Sequence, residues 1–314
     1  MADYEMLIIG SGPAGLTAAI YAGRAMVRTL VVGGRLAGGQ LMLTSGVENF
    51  PGFSDGIQGP DLMMEMRKQA ERFGAEIIDE DVDSVDLSTR PIRVFVGNRT
   101  YTADAVVIAT GSSAKWMGLA SETKLRGRGV SSCATCDGYF FRDKRVVVVG
   151  GGDTALEESL FLTKYASEVM IIHRRDKFRA SKIMQSRATS NQKIKFSLNS
   201  VVDEILGDNK VEGVRLRNVI TNEHSIVPCD GVFVAIGFQP NTKIFEGQIA
   251  LDEKGYAIVK DETESSVSGV FVAGDVRDYR YRQAVTAAGE GCKAVLDALA
   301  YLEEQKAIAV SAHG

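Results

Sequence analysis

Proline, tryptophan and histidine are scarce in this chain of 314 residues, which has 6, 1 and 3 of them, whereas glycine occurs 33 times. Abundant glycine with little proline is typical of strand-to-helix turns and not of a disordered chain. Four cysteines are too few for a disulfide scaffold. The hydrophobic fraction of 45% suffices for a packed core, and the length favours about two domains.

Positive charge is not in excess either, since the formal net charge is -4 and the pI is about 5.6. These values exclude a globally basic surface of the kind that binds nucleic acid. The segment 1–10 has Asp3 and Glu5 where a signal peptide would have positive charge, and its apolar run is too short to span a membrane. We therefore expect a cytoplasmic protein with no nucleic-acid or membrane partner.

Apolar runs rich in valine and isoleucine alternate with amphipathic stretches along most of the chain. The runs predict buried strands at residues 5–10, 29–34, 104–111, 145–152, 169–175, 231–237 and 269–275. The amphipathic stretches predict helices at residues 14–25, 59–73, 153–165 and 284–303. The stretch 76–102 has short apolar runs, turns and acidic residues, which indicate an antiparallel excursion. The alternation as a whole predicts an α/β fold with largely parallel sheets.

Two copies of one strand–turn–helix pattern begin at Gly10 and Gly150, in "MLIIGSGPAG" and "VVVVGGGDTA". The first reads G-x-G-x-x-G and the second G-x-G-x-x-A, which is a permitted variant of the dinucleotide-binding turn. In the first copy, Pro13 suits the first turn of a helix, where a missing N–H has no cost. Each helix start would offer N–H groups and a positive dipole end to a pyrophosphate.

In each copy, the residues that follow the strand after the helix indicate which nucleotide the turn binds. The second copy is followed by His173, Arg174, Arg175 and Arg179. Positive charge at this place suits a 2′-phosphate and favours NADP over NAD, although a solvated basic turn would look the same. The first copy departs from the pattern, because its second strand ends at 33–34 in two glycines where an acid is expected to bind the ribose.

A further candidate for the first site lies near the C-terminus, where Asp275 ends a predicted strand and Gln283 and Ala284 open a helix. An acid at a strand end can bind a ribitol or ribose hydroxyl, and a helix start can stabilise negative charge on a reduced flavin. The alternative interpretation is an aspartate that caps a helix.

The stretch "CATCDG" places Cys133 and Cys136 two residues apart, with Asp137 directly behind them. This spacing alone allows half of a zinc site, a structural disulfide or a redox-active pair. A zinc site needs four ligands, and none of the three histidines lies near the pair at ligand spacing. A disulfide across so short a loop constrains little, so the redox interpretation is favoured.

Taken in order, the motifs resemble those of the low-molecular-weight, bacterial-type thioredoxin reductases, which are flavoproteins with two dinucleotide-binding domains. The resemblance rests on "GSGPAG", "GGQL", "VENFPG", "ATG", "CATCDG", "GGGDTA", "HRRDKFRA", "AIGFQPN", "GVFVAGDV" and "YRQA". It implies two Rossmann-like domains, with an NADPH domain (residues 115–245) inserted into a discontinuous FAD domain (1–114 and 246–314). It also implies a homodimer whose protein substrate is thioredoxin.

Carried over position by position, the resemblance implies a set of site residues. Residues implied for FAD are Gly10, Gly12, Pro13, Ala14, Gly15, Gly39, Gln40, Asn49, Ala109, Thr110, Gly111, Gly274, Asp275, Arg282, Gln283 and Ala284. Those implied for NADPH are Gly150, Gly152, Asp153, Thr154, His173, Arg174, Arg175 and Arg179. Cys136 would be the flavin-proximal thiol, Cys133 the thiol that exchanges with substrate, and Asp137 the general acid–base.

The implied reaction passes electrons from NADPH to FAD, then to the Cys133–Cys136 disulfide, then to thioredoxin. The disulfide and the nicotinamide belong to one domain but both need the flavin, so we expect that domain to rotate on crossing segments near 112–118 and 243–249. Two alternatives stay open: a related flavin disulfide oxidoreductase with another dithiol partner or electron donor, and a nucleotide-binding redox sensor without catalysis.

Overall fold

The structure is a computed structural model that describes residues 2–35, 37–43 and 46–311. The chain divides into two compact units, one formed by the described residues of Met1–Ser113 and Gln239–Gly314, the other by Ala114–Phe238. None of the helices in the described ranges has the length and apolar character needed to cross a membrane.

Short strands and mostly short helices make up both units. The strands are β1 (Tyr4–Ile9), β2 (Thr29–Val32), β3 (Gly46–Val47), β4 (Ile57–Gln58), β5 (Glu76–Ile78), β6 (Ser84–Asp86), β7 (Ile92–Val96), β8 (Arg99–Ile108), β9 (Ser112–Ala114), β10 (Val130–Ser131), β11 (Arg145–Val149), β12 (Glu168–Ile172), β13 (Ile194–Ser197), β14 (Ser200–Leu206), β15 (Gly213–Asn218), β16 (His224–Pro228), β17 (Gly231–Val234), β18 (Phe238–Pro240) and β19 (Val270–Val272). The helices are α1 (Pro13–Arg24), α2 (Gly59–Arg72), α3 (Ala120–Leu125), α4 (Ala134–Asp137), α5 (Asp153–Leu162), α6 (Lys182–Ser190) and α7 (Ala284–Ser311).

In the first unit a seven-stranded sheet has the order β5-β2-β1-β8-β7-β6, and β19 also pairs with β8. Strands β5, β2, β1, β8 and β19 are parallel, whereas β7 runs antiparallel to both of its neighbours, β6 and β8. The predicted antiparallel excursion is therefore confirmed for β6 to β8. It is wrong for Glu76–Ile78, which extends the parallel part instead because it pairs alongside β2.

In the second unit five parallel strands follow the order β10-β17-β11-β12-β13, and β14, β15 and β16 form a separate antiparallel sheet. The predicted α/β class with two Rossmann-like domains is confirmed. Alternate residues of β1 enter opposite hydrophobic clusters, Met6 and Ile8 on one face, Leu7 and Ile9 on the other. Burial on both faces explains why the parallel strands read as unbroken apolar runs.

Candidate active site

The first glycine turn joins β1 to α1, and its three glycines meet three different surroundings. A Cβ on Gly10, whose φ is +113°, would lie 2.3 Å from the Ala109 carbonyl oxygen. A Cβ on Gly15 would lie 1.9 Å from the Gly10 carbonyl oxygen, whereas one on Gly12 would meet nothing within 4 Å. Contact with neighbouring backbone therefore requires glycine at positions 10 and 15, whereas Gly12 leaves open space above the backbone.

The start of α1 suits a pyrophosphate. Pro13 opens the helix, Gly12 precedes it in an extended conformation, and no side chain caps it. No acidic residue lies in its first turn, so nothing opposes the positive end of the helix dipole. Ala14, in the first turn of α1, packs close to Gly274, since a Cβ on Gly274 would lie 3.0 Å from the Ala14 Cβ. The open glycine and uncapped helix fit the diphosphate of FAD.

Ser11, which the sequence analysis did not single out, ties three segments of this site together. Its buried hydroxyl donates to the Gly33 carbonyl at 2.8 Å and accepts from the Gly38 N–H at 2.9 Å. The following 3-10 helix, Gly39–Leu43, contains Gln40 and begins beside the turn, because a Cβ on Gly39 would lie 3.5 Å from the Gly12 Cα. Position 11 is the variable residue inside G-x-G, so the motif itself carries no signal for it.

The "ATG" segment 109–111 lies at the end of β8, next to the glycine turn. The Ala109 N–H donates to the Ile9 carbonyl at 2.8 Å. The Thr110 hydroxyl donates to the Asn241 carbonyl, and the Asn241 amide returns a bond to the Thr110 carbonyl, both at 2.8 Å. Gly111 has a φ of +66° and open space at its Cβ position. The segment is thus pinned beside the turn by a second strand and by residue 241.

Asp275 lies three residues beyond the end of β19 and has an unusual electrostatic setting. Its pKa is raised to about 7: burial is the largest cause, the charges of Asp278 and Glu290 also raise it, and the charge of Arg282 lowers it. Its neighbour Asp278 has one buried carboxylate oxygen with no hydrogen-bond partner among the described residues. Glu290 is engaged elsewhere, because it accepts from the Gly274 N–H at 2.7 Å and pairs with Arg277.

The structure also brings together residues far apart in sequence at the start of α7. The Asn49 side-chain amide donates to the Gln283 side-chain carbonyl at 3.3 Å. Arg282 has a φ of +49°, and Ala284 is the first residue of α7. Asp275 does not cap this helix, because eight residues separate it from Ala284. The capping interpretation of Asp275 is therefore wrong for α7.

The second glycine turn, between β11 and α5, repeats the geometry of the first. A Cβ on Gly150 would lie 2.5 Å from the Ala235 carbonyl oxygen and 2.6 Å from the Ala155 Cβ. A Cβ on Gly152 would meet nothing within 4 Å, and no side chain caps α5. The same open cradle and free helix start fit the diphosphate of a nicotinamide dinucleotide.

The first turn of α5 contains Asp153 and Thr154, and the acid is engaged. The Asp153 carboxylate accepts from the Ser181 N–H at 2.8 Å, which lowers its pKa. The Arg179 N–H in turn donates to the Gly151 carbonyl at 2.8 Å. One hydrogen bond to a side chain and one between backbone groups therefore hold the segment that follows β12 against the glycine turn.

His173 lies beneath this basic turn. Its side chain is buried, its Nε2 is 3.1 Å from the Lys177 carbonyl, and its ring stacks on Phe178 with centroids 5.4 Å apart. A Cβ on Gly151 would lie 2.2 Å from its Nδ1, so the ring fills the space over that glycine. Burial lowers the pKa of His173, and the charges of the three arginines lower it further. The ring is therefore a neutral support for the turn.

The three arginines of the turn are placed differently from His173. Arg174, Arg175 and Arg179 are all exposed. Exposed guanidinium groups next to a helix start can bind a 2′-phosphate by charge-assisted, bidentate hydrogen bonds. The basic turn thus fits NADPH, while the assignment of each residue to a cofactor stays a prediction.

Cys133 and Cys136 are bonded to each other, with their Cα atoms 5.3 Å apart. Both lie in the second unit and are partly exposed. Cys133 caps the short helix α4, since its Sγ accepts from the Cys136 N–H at 3.2 Å. Its Sγ also lies 3.3 Å from the Thr135 hydroxyl. The pair is thus a partly exposed disulfide whose N-terminal sulfur accepts a hydrogen bond from a backbone N–H and lies near a hydroxyl.

Asp137 ends α4, beside the disulfide. Burial raises the pKa of its carboxyl group, and a hydrogen bond with Ser131 opposes the shift. Ser131 also accepts from the Cys133 N–H at 3.0 Å, so one hydroxyl connects the acid with the disulfide loop. Asp137 makes no capping hydrogen bond to the 3-10 helix Gly138–Phe141. A carboxyl group with a raised pKa is suited to general acid catalysis.

Comparison with known proteins agrees with this geometry. The family model described as "Pyridine nucleotide-disulphide oxidoreductase" matches residues 4–291. The thioredoxin reductase of Rickettsia conorii is 54% identical over 305 residues, which cover 96% of this chain and 98% of that protein. The solved thioredoxin reductase from Streptococcus pyogenes MGAS5005 has a TM-score of 0.92 at 42% identity, covering 96% of this chain and 98% of its own.

The solved thioredoxin reductase from Giardia duodenalis has a TM-score of 0.91 at 44% identity, covering 96% of this chain and 99% of its own. Similarity at this level extends over nearly the whole of each protein. The family match over residues 4–291 spans both glycine turns and Cys133–Cys136. The similarity confirms the resemblance inferred from the motifs. The chain belongs to the pyridine nucleotide-disulphide oxidoreductase family, as one of its low-molecular-weight thioredoxin reductases.

Proposed function

We propose that this chain is an FAD-dependent enzyme that uses NADPH to reduce the disulfide of thioredoxin. The observation that carries the proposal is the partly exposed Cys133–Cys136 disulfide, with the partly buried carboxyl group of Asp137, whose pKa is raised, beside it. It occurs in the same unit as a glycine turn followed by three exposed arginines. The names of the relatives support thioredoxin as the substrate.

Two bound cofactors would complete the site. Bound FAD would supply a group that can take a hydride from a nicotinamide and give an electron pair to a disulfide, which thiols cannot do directly. The open cradles at Gly12 and Gly152 support diphosphate binding in each unit. Arg174, Arg175 and Arg179 would hold the 2′-phosphate, and His173 would hold their turn in place.

The two sulfurs divide the exchange with substrate between them. Reduction of the disulfide takes two electrons and two protons and gives two thiols. The Cys133 thiolate then attacks the substrate disulfide and forms a mixed disulfide, which Cys136 resolves as the second substrate sulfur leaves as a thiol. The Cys136 N–H close to the Cys133 Sγ supports this division, because it stabilises negative charge on the attacking sulfur.

Asp137 would hold the proton for this exchange. Its raised pKa keeps the carboxyl group protonated to a higher pH than that of a free aspartate, so that it can protonate a leaving thiolate. The hydroxyl of Ser131 orients it towards the disulfide loop. Assignment of Cys136 to the flavin side rests on the family resemblance.

The inserted unit would rotate between the two half-reactions, because its disulfide and its nicotinamide site must reach one flavin in turn. We also propose a cytoplasmic homodimer, following the family. The two units join at Ser113–Ala114 and at Phe238–Gln239, the second junction lying a few residues before the segment 243–249 expected from the sequence. A cross-link that immobilises these two junctions would stop turnover while both cofactors stay bound. Full activity in such a cross-linked form would contradict the rotation.

The decisive experiment measures NADPH oxidation with and without thioredoxin, in the wild type and in Cys133→Ser. Thioredoxin should stimulate oxidation in the wild type only, and the flavin of both proteins should be reduced by NADPH. Cys292→Ser is a matched control, since that cysteine takes no part in a disulfide. Flavin reduction without stimulation by thioredoxin would reject this substrate in favour of another disulfide partner. Flavin reduction by NADPH without turnover on any disulfide acceptor would favour a redox sensor.

A further inference from the structure

The end of β2 raises a question that the family motifs leave open. In dinucleotide-binding domains an acid at this place binds the ribose hydroxyls of the adenosine. This chain has Gly33 and Gly34 there. Both glycines lie at the nucleotide turn, since Gly33 accepts from Ser11 and a Cβ on Gly33 would lie 3.0 Å from the Ser11 Oγ.

A second segment runs alongside the chain beyond the C-terminal end of β2. Strand β5 lies parallel to β2, and Val32 pairs with Ile78. Beyond the strands the pairing continues, because the Gly33 N–H donates to the Ile78 carbonyl at 2.8 Å and the Gly34 N–H donates to the Glu80 carbonyl at 3.0 Å. The residues after Ile78 are therefore held beside the place where the ribose-binding acid is expected.

Asp81 reaches that place with its carboxylate. A Cβ on Gly34 would lie 3.4 Å from the Asp81 Oδ1, so this oxygen borders the volume that an acidic side chain at position 34 would enter. The Arg35 N–H fixes the same oxygen at 3.0 Å. The Arg35 guanidinium pairs with Oδ2 at 3.4 Å, but both side chains are largely exposed, so the carboxylate is accessible to a ligand.

The other acids of this segment have structural partners. Asp79 pairs with Arg67 at 2.6 Å, and Glu80 pairs with Arg99. Asp83 accepts from the Gly97 N–H at 2.6 Å. Among the acids at 79–83, Asp81 is thus the one whose described side-chain contacts lie at the end of β2.

We propose that Asp81 supplies, from the neighbouring strand, the carboxylate that binds the ribose hydroxyls of the FAD adenosine. The glycines at 33 and 34 then leave space for an acid that lies 47 residues after Gly34 in the sequence. Arg35 holds this carboxylate in position through its backbone N–H. The inference rests on the proposed function, because it takes FAD as the ligand of the first unit.

The test is FAD binding to the full-length apoprotein, followed by flavin fluorescence, in the wild type, Asp81→Asn and the control Asp79→Asn. Loss of a hydrogen bond to a charged group should raise the Kd of Asp81→Asn about tenfold. Asp79→Asn removes an equal charge from the same segment and should leave the Kd within about twofold. Thermal unfolding of each apoprotein shows whether the variants remain folded.

A second ligand identifies the contact. FAD with 2′,3′-dideoxyadenosine in place of adenosine should bind the wild type about as weakly as FAD binds Asp81→Asn, with little further loss in the variant. The proposed role of Asp81 would be wrong if Asp81→Asn bound FAD as tightly as the wild type. It would also be wrong if the loss from the substitution and the loss from removing the ribose hydroxyls added in full. Either result would leave the proposed function intact. A wild-type apoprotein that binds no FAD would instead reject the proposed function, and this inference with it.

Discussion

Replacement of His173 by phenylalanine should weaken recognition of a 2′-phosphate and leave recognition of the remaining nucleotide intact. The neutral imidazole donates from Nε2 to the Lys177 carbonyl at 3.1 Å and stacks on Phe178. Phenylalanine keeps the ring and the stacking but loses this hydrogen bond. The turn that carries Arg174 and Arg175 is then less well ordered.

The magnitude follows from that single bond. A neutral hydrogen bond contributes about 1 kcal/mol net, which corresponds to roughly a fivefold change in an equilibrium constant. We therefore expect the Kd for 2′,5′-ADP to rise about fivefold in His173→Phe. The Kd for 5′-ADP, which lacks the 2′-phosphate, should change less than twofold, because the glycine turn and the start of α5 are unaltered.

Calorimetric titration of both nucleotides into the holoenzyme makes the comparison directly. His224→Phe is the matched control, since His224 is an exposed residue of the antiparallel sheet in the same unit. Equal weakening of both nucleotides would refute the reasoning, because His173 would then contact a part that they share. Unchanged binding of both would show that the turn is ordered without the histidine.

Three further predictions concern the turn and the two acids. Gly12→Ala should fold with unchanged thermal stability, because its Cβ meets no protein atom, but should bind FAD more weakly. Gly10→Ala should be destabilised, because its Cβ would contact backbone atoms. Thermal unfolding and FAD titration would show the contrast, and equal behaviour of the two variants would contradict it. Asp137→Asn should slow thioredoxin reduction by about 10²–10⁴ and flatten the decline in rate as pH rises through the raised pKa of Asp137, which rate–pH profiles would reveal. Asp275 has a pKa of about 7 in the folded protein, above its value of 3.8 in the unfolded chain. Its contribution to the stability of the apoprotein is therefore present below pH 3.8 and is lost as the pH rises to about 7. Asp275→Asn should remove this decline, and identical curves of stability against pH for the variant and the wild type would argue against it.

Local patterns were sufficient to predict much of this fold. Runs of valine and isoleucine predicted the parallel strands correctly because both faces of each sheet are buried. Glycine spacing predicted both turns, since tight backbone contact at Gly10 and Gly150 excludes any side chain. The end of α7 was predicted eight residues too early, at 303 instead of Ser311. Its last turns are exposed, so no apolar periodicity marks them.

The sequence by itself determined the α/β class, the two nucleotide turns and the redox pair, because each depends on residues close together in the chain. Only the tertiary structure decided how distant residues serve these sites. Sheet pairing carries Asp81 to the end of β2, and packing places the ring of His173 under the basic turn. Folding also buries Asp275 beside Asp278, which raises its pKa. Such contacts depend on strand order and burial, which spacing within one segment does not encode.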